Sequence, residues 1–167
     1  EKGSGLTEEI IKKREKEQAE VLKERLGLTL EKKGDWTRIE NLASTKPAAL
    51  AGLKRGDCLV SADGDSLRFL NLEAVRKVLL VPRYSNFNLE VDRDLLLVKN
   101  TAANRLKDLG FKLKLDYQGL IIHSMKEGSL AAAAGLKDED LLTHIHGIAT
   151  RYTPTQEVVR LIEDPKE

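Results

Sequence analysis

The sequence predicts a mainly β fold with α-helices: two small, partly open antiparallel β-barrels or sandwiches, each flanked by two helices. Three observations predict it. Residues 26–84 align without a gap on residues 109–167, and sixteen of those 59 pairs are identical. Within each copy, short apolar stretches alternate with a period of two, as half-exposed strands do. Each copy also holds short and long helical stretches with capping residues at their ends. A repeat of this length divides the chain into two small folding units. Among the identical pairs are Leu26/Leu109, Gly27/Gly110, Gly52/Gly135, Asp57/Asp140, Arg68/Arg151 and Val75/Val158. Glycine, alanine and apolar positions dominate, so the repeat preserves a backbone shape and a core.

The elements follow in order. Thr7 can cap a helix from Glu8 to about Arg25, with Glu8 and Glu9 in its first turn. Ile10, Ile11, Ala19, Leu22 and Leu26 give it a thin apolar stripe, which is assigned to contact with its own domain rather than with a partner helix. A shorter helix, Ala102–Asp108 capped by Thr101, precedes the second copy. First strands are expected at Leu28–Leu30 and Phe111–Leu113, and second strands at Thr37–Leu42 and Gly119–Met125. Pro47 opens and Gly52 ends a short helix at Ala48–Ala51; Ser129 and Gly135 do the same for Leu130–Ala134. Strands at Cys58–Ala62 and Leu141–Ile145 follow.

The long helix of copy one is Leu72–Leu80, capped by Asn71. In copy two, Thr153-Pro154-Thr155-Gln156 reads as a capping box leading into Val158, Val159, Leu161 and Ile162. Phe87–Val91 closes copy one and Leu95–Val98 opens copy two. The expected organisation is a charged helical segment at 1–19, a first domain at 20–93, and a second at 94–167 that lacks its closing strand. Asp94–Asp108 is neither glycine- nor proline-rich, so a structured connection is expected there.

Composition narrows the function. The net charge is +1 with 33% charged residues of both signs, and aromatic residues make up 4%. A nucleic-acid surface would need a one-sided basic excess and rings for stacking. The lone Cys58 cannot form an internal bridge, which suits a reducing, cytoplasmic setting. No apolar run approaches a membrane span and no secretory signal opens the chain. Glu1–Gly5 is linker-like, and the chain reads as a piece of a larger protein.

Arg25-Leu26-Gly27-Leu28 and Asp108-Leu109-Gly110-Phe111 resemble the Gly-Leu-Gly-Phe loop of PDZ domains. The stretches Ala49–Gly64 and Ala134–Gly147 resemble that family's Ala-Gly-Leu-x-x-Gly-Asp core. With the long helices at matching spacing, the resemblance covers about residues 20–93 and 95–167, nearly the whole chain. It implies a non-enzymatic scaffold or adaptor that binds the C-terminal tails of other proteins, membrane proteins among them. The peptide would add as a strand in the groove between the second family strand and the long helix. Consecutive loop N–H groups would converge on the terminal carboxylate. The implied peptide-binding residues are Leu26, Gly27, Leu28, Thr29, Leu30, Leu72, Arg76 and Leu79 in copy one, and Leu109, Gly110, Phe111, Lys112, Leu113, Thr155, Val159 and Ile162 in copy two.

Departures from the family pattern are concentrated at the reading positions. Thr155 stands where many members carry a histidine, and Leu72 points to an apolar peptide residue. Arg76 falls where the family has a small or apolar side chain. It either snorkels out of the groove, meets an acidic ligand, or reports a helix register shifted by one. Asp108 would repel an incoming chain end. Two further readings compete: PDZ-like folds kept for self-association or structural packing with closed grooves, and a regulatory arm of a processing protease, whose PDZ appendages the segment Thr153–Ile162 resembles.

No cofactor or metal is expected. His144 and His146 alternate on one expected strand but lack a third ligand nearby, and His123 belongs to another strand. Cys58 has no histidine placed to activate it. Trp36 is expected in an exposed turn.

Overall fold

The structure, a computed structural model, describes residues 4–81, 87–96 and 105–163, with side chains of the first helix described from Thr7 onward. It is a mixed α/β architecture of antiparallel sheets and several helices, with no closed barrel. Two compact units cover Glu1–Asp94 and Leu95–Glu167.

The first unit runs α1 (Ser4–Arg25), β1 (Leu28–Lys33), β2 (Trp36–Leu42), α2 (Pro47–Leu50), β3 (Cys58–Ala62), β4 (Asp65–Ser66), α3 (Leu72–Leu80) and β5 (Leu89–Asp92). Its five strands form one antiparallel sheet in the order β1-β2-β3-β4, with β5 also paired on β3. A two-residue turn at Gly34-Asp35 joins β1 to β2, and their register runs from Lys33 opposite Trp36 to Leu28 opposite Leu42. Alternation puts Leu28 and Leu30 inward, where they meet Ile39, Leu59, Val75 and Leu79 in one buried cluster. Asn71 caps α3, its side-chain oxygen accepting from the Ala74 N–H at 2.8 Å. Leu22 of α1 is buried in the same core, so this helix does pack on its own unit.

Several expectations need correction. α1 already runs at Ser4, so Thr7 lies inside the helix instead of capping it. The strand expected at Phe87–Val91 begins at Leu89, where pairing with Ala62 starts. Leu95 and Leu96 lie outside any strand, while 97 and 98 fall outside the described residues. Thr101, expected to cap a helix, also falls outside them.

The second unit runs α4 (Leu106–Leu109), β6 (Lys112–Asp116), β7 (Gly119–His123), α5 (Leu130–Ala134), β8 (Leu141–Leu142), β9 (His144–Ile145), β10 (Ile148–Ala149) and α6 (Thr155–Glu163). Strands β6, β7 and β8 form a three-stranded antiparallel sheet, and β9 pairs with β10. The strand expected at Leu141–Ile145 is therefore two strands. Thr150 explains the break. Its buried hydroxyl donates to the carbonyls of Leu142 and Thr143, and its N–H also donates to Thr143 at 2.9 Å. The equivalent residue in the first unit is Leu67, whose N–H makes the matching bond to Val60 at 2.9 Å and which has no hydroxyl to add.

Ser129 caps α5 as expected, accepting from the Ala132 N–H at 3.2 Å, and Gly135 ends it in the left-handed region. The capping box at Thr153 does not form. The Thr153 hydroxyl donates to the Ala149 carbonyl at 2.8 Å, and the Pro154 carbonyl accepts the first helical bonds of α6.

Candidate functional site

Each unit brings a glycine loop, an edge strand and a long helix into one place. In the first unit, α1 ends at Arg25, and Gly27 follows with φ +78. The Leu26 N–H donates to the Leu22 carbonyl at 2.9 Å and the Gly27 N–H to the Lys23 carbonyl at 3.0 Å. Those are the bonds of a glycine-terminated helix. In the second unit the Leu109 N–H donates to Arg105 and the Gly110 N–H to Leu106, both at 2.9 Å. The Phe111 N–H also donates to Leu106, at 3.3 Å. The loop amides thus serve as helix C-caps in both copies. Each loop glycine's carbonyl is committed as well: Ala43 donates to Gly27 at 2.9 Å and Lys126 to Gly110 at 2.7 Å.

Among the described residues, edge strands β1 and β6 each pair on one side only, with β2 and β7 respectively. Beside β6, Leu113 and Ile162 are half-buried and pack on the cluster of Leu109, Phe111, Ile122 and Ala131. Val159 and Thr155, one and two turns earlier on α6, are also half-buried, while Lys112 is exposed. Loop, edge strand and long helix of the second unit therefore meet on one apolar cluster, through Leu109, Phe111, Leu113 and Ile162. α4 is held at the end of α6, where the Glu163 carboxylate accepts from the Leu106 N–H at 3.1 Å.

The first unit is arranged differently. Both Leu28 and Leu30 are buried, Thr29 is half-buried, and Leu79 is only 3% exposed, so Leu79 belongs to the core rather than to an open wall. Leu26 and Leu72 are half-buried against that core. α1 packs on both α3 and β1, the two elements that bound this groove. A cleft of about 480 Å³ remains between the helices, lined by Lys12, Glu15, Lys16 and Ala19 on α1 and by Asn71, Leu72, Glu73 and Arg76 at α3. The Arg76 Nε is buried without a hydrogen-bond partner among the described residues, as is the Gln18 Oε1 on α1. α3 begins at Leu72 behind its Asn71 cap, so Arg76 is on its second turn and faces α1.

Two features escaped the sequence. Asp57 is almost fully buried, and its carboxylate accepts from the Arg93 Nε and Nη2 at 2.6 Å each and from the Lys54 N–H at 2.9 Å. Its recurrence as Asp140 in a list of glycines, alanines and apolar residues was the signal for a structural role. Arg68, likewise recurrent, stacks between Trp36 and the exposed Phe69 at 5.2 and 4.6 Å from their ring centres. Trp36 is consequently half-buried at the start of β2 rather than an exposed turn residue.

His146 lies in the β9–β10 turn with φ +49, not on the strand with His144. Among the described residues no three His, Cys, Asp or Glu side chains gather where a metal ion could sit. Among the described residues, too, no helix is long and apolar enough to cross a membrane.

The first unit combines an antiparallel sheet, a short alanine helix ended by glycine, and a capped long helix. Residues 41–93 match the PDZ domain family. The PDZ match begins near the end of β2 and runs through β5, so it covers α2, β3, β4, α3 and the Asp57–Arg93 pair. It lies wholly within the first unit. PDZ domains are interaction domains and generally not enzymes, which makes protein–protein interaction the general role of this stretch. No curated protein matches the chain.

Proposed function

We propose that the chain is a non-enzymatic interaction module of two PDZ-like units, and that its second unit takes an extended segment of a partner protein by strand addition along β6. The observation that carries this reading is the edge of β6, unpaired among the described residues, with Leu113 and Ile162 packed on one apolar cluster and Val159 half-buried one turn before Ile162. Main-chain bonds to that edge supply affinity, and the side chains of β6 and α6 supply selectivity. Thr155 offers a hydroxyl near the start of α6 to a polar residue of the ligand.

The glycine loop shapes the expected ligand. Its N–H groups already donate to the carbonyls of Arg105 and Leu106, and each such bond is worth about 1 kcal/mol net. A terminal carboxylate has to displace them, so the chain end is not the principal anchor. C-terminal tails of partners, membrane proteins among them, bind as extended strands, and internal segments of similar sequence bind comparably.

The test is titration with free-carboxylate peptides and their C-terminal amides, read from amide chemical shifts of β6 and α6. Acid and amide forms are expected to bind within a few-fold of each other, and Val159→Asp is expected to abolish both. Absence of binding by either form refutes the groove. Binding by acids alone restores the carboxylate as the anchor and refutes the secondary role given to it here.

A further inference from the structure

We propose that α1 is a displaceable cover of the first unit's strand–helix groove, so that partners reach this groove only when the helix lifts. The proposal extends the reading of strand–helix grooves as binding sites, but its test needs no ligand. α1 rests on both walls of the groove, β1 and α3. Among the described residues its deepest burial is near its C-terminal end: Leu22 is 1% exposed, whereas Ile10 and Ile11 are 55% and 46% exposed. Lys46 adds one bond at that end, its Nζ donating to the Glu24 carbonyl at 2.9 Å.

The contact between α1 and α3 is poorly matched. Arg76 Nε, facing α1, is buried without a partner among the described residues, and so is Gln18 Oε1 on α1 itself; each such group costs stability in the closed state. The cleft lined by Lys12, Lys16 and Arg76 on one hand and Glu15 and Glu73 on the other keeps charged side chains between the helices. A cover held by the buried Leu22, with an orphaned polar atom on each side of its contact and an open cleft beside it, opens at lower cost than the sheet beneath it. Opening also has a chemical consequence. Once the last turn of α1 unwinds, the Leu26 and Gly27 N–H groups lose their carbonyl partners, and the loop gains donors for an incoming chain end. Groove access and carboxylate capture are thereby coupled in one event.

Native-state amide hydrogen exchange on the full chain tests this. The amides of 16–27 are expected to exchange through an opening at lower denaturant than the Ile39 N–H, which donates to Asp57 at 2.9 Å inside the sheet. Ala19→Pro interrupts α1 on its groove face, and is expected to speed exchange of Leu26 and Gly27 at least tenfold with Ile39 changed less than twofold. Gln18→Leu, which removes one orphaned atom, is expected to slow the same amides. A single shared opening for α1 and Ile39 in the unaltered chain overturns the proposal, as does loss of the whole first unit in Ala19→Pro. Neither outcome touches the second unit's groove, so the two readings fail separately.

Discussion

A Cβ on Gly110 would stand 2.2 Å from the Cβ of Ser129, the residue that caps α5. The first copy repeats the relationship, with Gly27 held 2.4 Å from the Lys46 Cβ on the same measure. Both glycines are also in the left-handed region, at φ +92 and +78. Gly110→Ala and Gly27→Ala therefore combine backbone strain with a clash and are expected to cost about 2–4 kcal/mol each. Urea unfolding of the two variants checks this. Unchanged midpoints would show that the glycines serve a ligand and not the fold.

Arg93→Ala leaves the Asp57 carboxylate buried with the Lys54 N–H as its remaining hydrogen bond. Removing one partner of such a pair costs about 3–5 kcal/mol. The loss is expected in the first unit's unfolding transition alone. An Arg93→Ala chain as stable as the parent would show that the pair contributes nothing to the fold.

Thr37 is fully buried with its hydroxyl unpaired among the described residues, and the second copy carries Leu120 at this position. Thr37→Val keeps the shape and removes the orphaned oxygen. It is expected to stabilise the first unit by about 1 kcal/mol, measured as a shift in urea midpoint. A destabilised variant would mean that the hydroxyl has a partner in solution.

Burial pushes the Cys58 thiol above the ordinary cysteine range, and Asp92, directly across the strand pair, adds to it. Arg38, its neighbour on β2, pulls the other way without cancelling the effect. Alkylation by iodoacetamide at pH 8 is expected to be several-fold slower than for a short cysteine peptide, and to rise with pH beyond the peptide's own range. The raised value also means that the fold's preference for the protonated thiol is complete below the unfolded pKa and is lost as pH rises through the folded one. Peptide-like reactivity at pH 8 would contradict the shielding.

Local signals carried most of the fold. Asn71, Pro47, Ser129 and Gly135 mark helix ends through short-range chemistry, and β3 lies where the residues placed it. The failures involve partners distant in sequence. Thr150 splits β8 from β9 by reaching back to carbonyls seven and eight residues earlier. Arg93 finds Asp57 across 36 residues. The candidate site was legible as a loop, strand and helix, but the use of its amides was not. Whether Gly27 and Gly110 close a helix or open a nest depends on what precedes them, and Leu22 and Lys23 decide it through their carbonyls. The thin stripe on α1 gave its packing on the unit but not the faces of α3 and β1 that it covers.

Among the described residues the two buried clusters draw on separate side chains, ten in the first unit and four in the second. Cooperativity follows the core, so calorimetry should resolve two heat-absorption peaks instead of one, the smaller cluster giving way first. The half proposed to take a partner strand is then also the half nearest its melting point. Partner binding would raise that lower peak by mass action while leaving the upper one in place, and a single Tm would describe neither half.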